Sequence, residues 1–285
     1  MRRLRLYLEL VRFEHTLFAL PFAYGGMLLA AGGWPGWPTF LLVTLAMVGA
    51  RTMAMALNRL IDWRLDAVNP RTQNRHLPRG LVKPGETLTL ALLGLLLLVY
   101  AGLNLNPLTA RLLPVAVFFL VFYSYTKRFT WLCHYVLGLT IGAAAAGGWI
   151  AVTGSFAPTA YALWAGVGLW IAGFDILYAT QDYTFDRAHG VKSIPARFGI
   201  PQALRVARAS HLLAWLAFLW AGVSYGAGPL YYLGLLLVGG LLLLEHRLVS
   251  PEDLSKVEVA FFQANVGVSL GMFLFIVLDL LARGA

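Results

Sequence analysis

Five of the seven aspartates in this 285-residue chain fall into two groups, Asp62 with Asp66, and Asp175 with Asp182 and Asp186. In the run Asn58-Arg59-Leu60-Ile61-Asp62-Trp63-Arg64-Leu65-Asp66 the polar groups recur at i, i+4 and i+8. On a helix all three point one way over about two turns. The run Asp182-Tyr183-Thr184-Phe185-Asp186 repeats the spacing, and Asp175 precedes it by about two turns. Carboxylates four residues apart repel by a few tenths of a kcal/mol in water and by more where solvent is scarce, so a cation is the natural compensation. Neither group contains cysteine, and the six histidines show no pairing at i, i+4. Carboxylate and amide oxygens remain as donors. Hard oxygen ligands suit magnesium, with one or two carboxylates per ion and substrate phosphates completing the shell.

The segment after each acidic group extends this chemistry. The stretch from Asn69 to Gly80 carries Arg71, Arg75 and Arg79 among prolines, glycine and amides, and reads as a loop. Arg187 to Gly199, with Lys192 and Arg197, is its counterpart, so the two halves form a weak internal repeat. Acids that hold a metal, with Arg and Lys next in the chain to hold anionic oxygens, are what a diphosphate needs. A third element, Tyr123-Ser124-Tyr125-Thr126-Lys127, puts a phenol and an ammonium on one helix face, flanked by Tyr125 and Arg128.

The elements that must position these residues are membrane helices. The chain is 59% hydrophobic and 12% charged, about half the charge of a soluble domain. That excludes an ordinary soluble enzyme, a disordered chain and, with Cys133 alone, a disulfide scaffold. A span needs about 20 mainly apolar residues, and nine segments qualify: 15–33, 38–62, 86–105, 108–126, 131–153, 159–182, 203–225, 229–248 and 259–282. They are continuous and lack the alternation of barrel strands. The expected fold is an all-α integral membrane protein in one domain, 1–285, with 63–85 and 183–202 as loops that cap the site. Residues 1–13 are basic and amphipathic and read as an interfacial helix, without the apolar core and cleavage site of a signal peptide. Most of the tryptophans and phenylalanines are expected in interfacial belts or against lipid.

The net charge is +9, and nineteen of the 22 basic residues lie in the amino-terminal segment and the loops after even-numbered spans. They interrupt apolar runs instead of decorating a polar domain, so nucleic acid is not the expected partner. The asymmetry puts the amino terminus and those loops in the cytoplasm of a multi-pass cell-membrane protein, with the carboxyl terminus outside. Both acidic groups then end spans on the cytoplasmic side and can face one another across a cavity. Aspartate in a span costs about 2.5–3.5 kcal/mol at the membrane centre, and such residues default to function.

Taken in order, these motifs resemble the UbiA superfamily of intramembrane aromatic prenyltransferases over nearly the whole chain: nine spans, Asn-xxx-Asp-xxx-Asp, Tyr-xxx-Lys and a second Asp-xxx-Asp. The resemblance implies a helical ring around a central cavity, a cytoplasmic cap from the loops after spans two and six, and a lateral opening to lipid. It implies two Mg2+ ions bridging the acidic motifs to a polyprenyl diphosphate, bound by Asn58, Asp62, Asp66, Asp182 and Asp186. Arg71, Arg75, Lys127 and Lys192 would hold the phosphates, Tyr123 would lie where the allylic bond ionises, and Arg51 would meet the aromatic acceptor. One departure is Arg59, which follows Asn58 where many members carry Asp. With Phe13-Glu14-His15-Thr16-Leu17-Phe18-Ala19-Leu20-Pro21-Phe22 it is similar to the 4-hydroxybenzoate polyprenyltransferase branch, whose relatives include the futalosine-route menaquinone enzymes. The implied reaction is ionisation of the allylic diphosphate and attack by 4-hydroxybenzoate or a dihydroxynaphthoate, with Asp175 or Asp182 accepting a proton or orienting the hydroxyl. Such an enzyme belongs to the class that transfers alkyl or aryl groups other than methyl and serves ubiquinone or menaquinone biosynthesis.

Blander readings stand beside these. Each acidic motif alone could be a solvated helix end, Tyr123 and Lys127 an interfacial anchor pair, and Arg51 a structural partner of Asp175. Asn265 reads as an interhelical hydrogen-bonding group, and Cys133 and His134 as structural. A transporter would place its acids near the midplane, and a CDP-alcohol phosphotransferase would open on Asp-Gly-x-x-Ala-Arg, which is absent. A haem farnesyltransferase or a chlorophyll-type synthase agrees less well with the motifs.

Overall fold

Proline opens most of the long helices, because a first-turn residue has no intrahelical partner for its N–H. The computed structural model describes residues 2–12 and 16–284; Phe13, Glu14 and His15 of the amino-terminal motif lie outside the described residues. Among the described residues there is no strand. The helices are α1 (Arg2–Leu10), α2 (Thr16–Ala31), α3 (Trp37–Val68), α4 (Pro84–Leu105), α5 (Pro107–Thr126), α6 (Cys133–Thr153) and α7 (Pro158–Ala179). They continue with α8 (Tyr183–His189), α9 (Ile194–Phe198), α10 (Ile200–Tyr225), α11 (Pro229–Leu248), α12 (Val257–Val259) and α13 (Asn265–Ala282). A 3₁₀ turn, Thr180–Asp182, joins α7 to α8, and a π-helical turn, Ala260–Ala264, precedes α13.

Eight helices among the described residues are long and apolar enough to cross a membrane. The expected first span is α2, of 16 residues, short of the roughly 20 that a span needs. Two boundaries differ from the sequence reading. The helix expected to end at residue 62 continues to Val68, so 63–68 is helix and not cap loop. It stops at Asn69, extended at φ −84 and ψ 120, because the ring of Pro70 disfavours helical geometry in the residue before it. The segment 183–202 is likewise not one loop. It holds α8, α9 and the start of α10, with Ser193 accepting the Ala196 N–H to cap α9.

Neighbouring helices approach closely where glycines meet. A Cβ on Gly142 of α6 would lie 2.7 Å from the backbone nitrogen of Gly168 on α7, and one on Gly49 of α3 would lie 2.7 Å from the Gly94 carbonyl oxygen on α4. Small residues permit such backbone contact, which drives helix association in lipid. The core lies along α7, where Trp170, Ile171 and Ile176 are fully buried. Phe22 stacks on Phe218 and tilts against Trp170. These aromatics are core and not belt, unlike the exposed Trp34, Trp37 and Trp220. Behind α7, Asn265 accepts from Trp170 Nε1 at 2.6 Å and donates to Glu245 Oε1 at 2.8 Å. At the other end of the helices, Asp279 accepts the Gly228 and Tyr231 N–H groups and caps α11.

One large cavity, about 740 Å³, is lined by α2 to α8, the segments after α3 and α8, Arg12 and Phe261. Helices α10, α11 and α13 contribute none of its lining among the described residues, so the cavity is bounded by part of the bundle and not by a ring of all its helices. The reason is packing: α10 covers α7, while α13 packs against α11 and α2. Helix α1 docks on the rest of the protein. Leu10 and Val11 are buried with Leu77 and Val82, and Tyr7 donates to Glu86 at 3.1 Å.

Candidate active site

Helix α3 aims Asn58, Asp62 and Asp66 at the cavity, as the i, i+4, i+8 spacing requires. Asp62 and Asp66 are 1% and 6% exposed, and buried charge demands partners. Asp62 receives Lys127 Nζ at 2.5 Å, Arg128 Nη2 at 3.0 Å and Asn58 Nδ2 at 3.1 Å. Asp66 receives Arg75 Nη1 on both oxygens, at 2.7 and 2.8 Å. Lys127 comes from the end of α5, where Tyr123 one turn earlier donates to the Ala54 carbonyl at 3.2 Å. Ser124 accepts from Asn58 at 3.2 Å, so α5 is fastened to α3 at this depth.

The second acidic group faces the first. Asp182 lies in the 3₁₀ turn and is gripped by Arg71, whose Nε reaches Oδ1 at 2.9 Å while Nη2 reaches Oδ2. Asn69 Nδ2 adds a bond at 3.0 Å. Arg71 also donates to the Tyr178 hydroxyl at 2.8 Å. Burial works against the Arg71 charge, but the bonds and charges of Asp182 and Tyr178 outweigh it and raise the pKa above the ordinary arginine value. Asp186 accepts from Ser193 Oγ at 2.8 Å. Lys192 is tied by its backbone to the Lys127 carbonyl at 2.7 Å, and its ammonium has no carboxylate partner among the described residues. Asp175 pairs with His134, Nδ1 to Oδ2 at 2.7 Å. It forms no ion pair with Arg51, whose Nη2 donates to the Arg12 carbonyl at 3.0 Å.

All twelve residues singled out in the sequence line this one cavity: Arg51, Asn58, Asp62, Asp66, Arg71, Arg75, Tyr123, Lys127, Asp175, Asp182, Asp186 and Lys192. Charged side chains gather at one end; the remaining walls are largely Ala, Leu, Val, Gly and Phe from α2 to α6. Such a chamber takes an amphiphile with an anionic head and a hydrocarbon tail. Sequence reasoning assigns no site role to Arg59, which is buried, donates to the Leu10 carbonyl at 3.3 Å and stands 4.0 Å from Asp66. It likewise misses Asn69, Tyr178, Ser193 and the role of His134. Arg59 sits one residue after Asn58, which is a visible signal; the others lie in ordinary polar contexts that no spacing distinguishes.

The oxygen donors suit a hard divalent cation. Among the described residues, however, no three His, Cys, Asp or Glu side chains stand close enough together to hold a metal. Asp62, Asp66 and Asp182 are instead met by guanidinium or ammonium groups and Asp186 by the Ser193 hydroxyl, so a cation here needs further oxygens from an anionic substrate.

A helical membrane protein with paired carboxylates and basic residues at the head of an apolar chamber is built to activate an amphiphilic anion. Residues 19–275 match the UbiA prenyltransferase family, and the chain belongs to that family. It is a prenyltransferase, and the transporter reading falls away. Among its relatives is a 4-hydroxybenzoate octaprenyltransferase of Vibrio vulnificus (strain CMCP6), 30% identical, with 95% of this chain and 96% of the relative covered. Another, of Nitrosospira multiformis, is 33% identical over 91% of this chain and 89% of the relative. A UbiA homolog from Aeropyrum pernix K1, solved in its apo form, superposes with a TM-score of 0.85 at 32% identity, covering 93% of this chain and 98% of that one. A homolog from Archaeoglobus fulgidus, solved with GPP and Mg2+, shares the fold at a TM-score of 0.69 and 19% identity, over 95% of this chain and 99% of that one.

Proposed function

We propose that this protein transfers a polyprenyl group from a polyprenyl diphosphate to an aromatic acid, 4-hydroxybenzoate or a dihydroxynaphthoate, in quinone biosynthesis. The observation that carries this is the convergence of both acidic groups and their basic partners at one end of an otherwise apolar cavity. The names of the relatives support an aromatic acceptor, and the GPP and Mg2+ of the A. fulgidus homolog support a diphosphate donor. The same reading takes nine spans, including α2, with the segments after α3 and α7 as a cytoplasmic cap, the amino terminus inside and the carboxyl terminus outside.

In this reading Asn58, Asp62, Asp66, Asp182 and Asp186 would hold two Mg2+ ions, whose contribution would be Lewis-acid neutralisation of the diphosphate. Arg71, Arg75, Lys127 and Lys192 bind the phosphate oxygens and stabilise charge as the allylic bond breaks. For this the basic groups exchange their carboxylate partners for phosphate; Lys192 has none to give up. The apolar walls hold the tail and keep water from the allylic cation, and the Tyr123 ring offers it a cation–π face worth about 0.5–2 kcal/mol. Arg51 meets the acceptor carboxylate, and Asp175 receives the ring hydroxyl.

Membranes containing the protein, given a polyprenyl diphosphate with both acceptors in competition, should yield a prenylated aromatic acid by mass spectrometry. Chelation of magnesium, Asp62→Asn and Asp182→Asn should each abolish it. Prenylation at the wild-type rate after any of these changes overturns the reading.

A further inference from the structure

His134, the second residue of α6, is 3% exposed and wedged between α7 and the segment that enters α9. Its ring nitrogens have different partners. Nδ1 lies 2.7 Å from Asp175 Oδ2, and Nε2 receives the backbone N–H of Ile194 at 3.2 Å. A backbone N–H can only donate, so Nε2 must present its lone pair. The ring proton is therefore on Nδ1 and points at the carboxylate. The segment before α9 selects the tautomer, and the tautomer makes Nδ1 the donor to Asp175.

The other Asp175 oxygen, Oδ1, accepts no hydrogen bond from the described residues, and the side chain is 28% exposed and borders the cavity. Asp62, Asp66 and Asp182 are each gripped by Arg or Lys, whereas Asp175 is met by a neutral imidazole. It stands seven residues before Asp182 on the same helical run, about 10 Å farther along the axis. Arg51 precedes Asn58 by the same interval on α3. Asp175 thus lies deeper along α7 than Asp182, while His134 ties it to the segment that carries Lys192 and Ser193, and Oδ1 offers one acceptor oxygen to a ligand hydroxyl.

On the prenyl-transfer reading, we infer that His134 is a positioning residue for the aromatic acceptor: through Asp175 Oδ2 it leaves Oδ1 free to accept the acceptor's ring hydroxyl. Two substitutions divide its two bonds. His134→Asn keeps a nitrogen donor near Nδ1 and loses the acceptor for Ile194. His134→Gln can reach the Ile194 N–H and loses the donor to Asp175. His134→Gln should raise the acceptor KM about tenfold or more, with the polyprenyl diphosphate KM within about twofold of wild type; His134→Asn should keep the acceptor KM within about threefold. Equal effects of both variants, a shift confined to the diphosphate KM, or wild-type kinetics in both would overturn the assignment.

Nitrogen-15 NMR of histidine-labelled protein in lipid bilayers, assigned with His134→Asn, reads the tautomer without any turnover. A neutral ring with its proton on Nδ1 is expected, and a proton on Nε2 or on both nitrogens overturns the geometry. If wild-type membranes prenylate no aromatic acid, the parent reading fails and takes the acceptor role with it. Wild-type transfer with unaltered His134→Gln kinetics sinks the positioning role alone.

Discussion

Arg71 and Asp182, 111 residues apart in sequence, are joined side chain to side chain, with Nε donating to Oδ1 at 2.9 Å. The basic segment after α3 thus neutralises the acid that closes α7, and the two halves of the weak repeat complete one another across the cavity. Asp62 is served in the same crosswise way by Lys127, 65 residues away.

Arg71→Lys keeps the charge but not the fork that reaches both Asp182 oxygens and the Tyr178 hydroxyl. Its KM for polyprenyl diphosphate is expected to rise about tenfold, and that of Arg71→Ala further. Initial rates against diphosphate concentration at saturating acceptor decide this; a lysine variant with wild-type kinetics would contradict it.

Cys133 is the sole cysteine. It is half-buried, borders the cavity and donates to the Lys192 carbonyl at 3.2 Å. A small, membrane-impermeant thiol reagent should modify it from the cytoplasmic side only, and polyprenyl diphosphate with Mg2+ should slow the reaction at least severalfold. Labelling in intact cells but not in inverted vesicles would reverse the proposed orientation.

Asn265→Leu strands Trp170 Nε1 and a Glu245 oxygen inside the bundle. Each stranded group costs about 1–3 kcal/mol, so the melting temperature in detergent should fall clearly while the magnesium dependence of turnover stays as it was. An unchanged melting temperature would show that the network contributes nothing to stability.

Gly142→Val adds atoms where a Cβ alone would stand 2.8 Å from the Gly168 Cα. Overpacking of this kind costs about 1–3 kcal/mol, and here backbone and not a flexible side chain must move. Thermal unfolding in detergent should register the loss, and Gly147→Ala, where a Cβ meets open space, should leave stability unchanged.

Several of these relationships are legible in the chain and several are not. Asn58, Asp62 and Asp66 announce their common face because a helix repeats every 3.6 residues, and all three do line the cavity. The end of α3 is less legible because the apolar run stops near residue 62, whereas the helix continues through the acidic motif to Val68, just before Asn69-Pro70. His134 carries no signal at all. A lone histidine near the start of an apolar helix looks the same whether it faces lipid, core or site, and only the nearness of Asp175 and Ile194 distinguishes them.

The sequence by itself determined the helical membrane class and picked out the acids and bases that the fold gathers on one cavity. Those properties stem from composition and from spacing within single helices, where covalent connection and helical period set the geometry. Only the tertiary structure decided which cation meets which carboxylate, which helices bound the cavity and which nitrogen of His134 carries its proton. These depend on contacts between residues 41 to 111 positions apart, made possible where glycines let α3 and α4, and α6 and α7, pack backbone to backbone. No local periodicity encodes such contacts, because they exist only once the helices have packed.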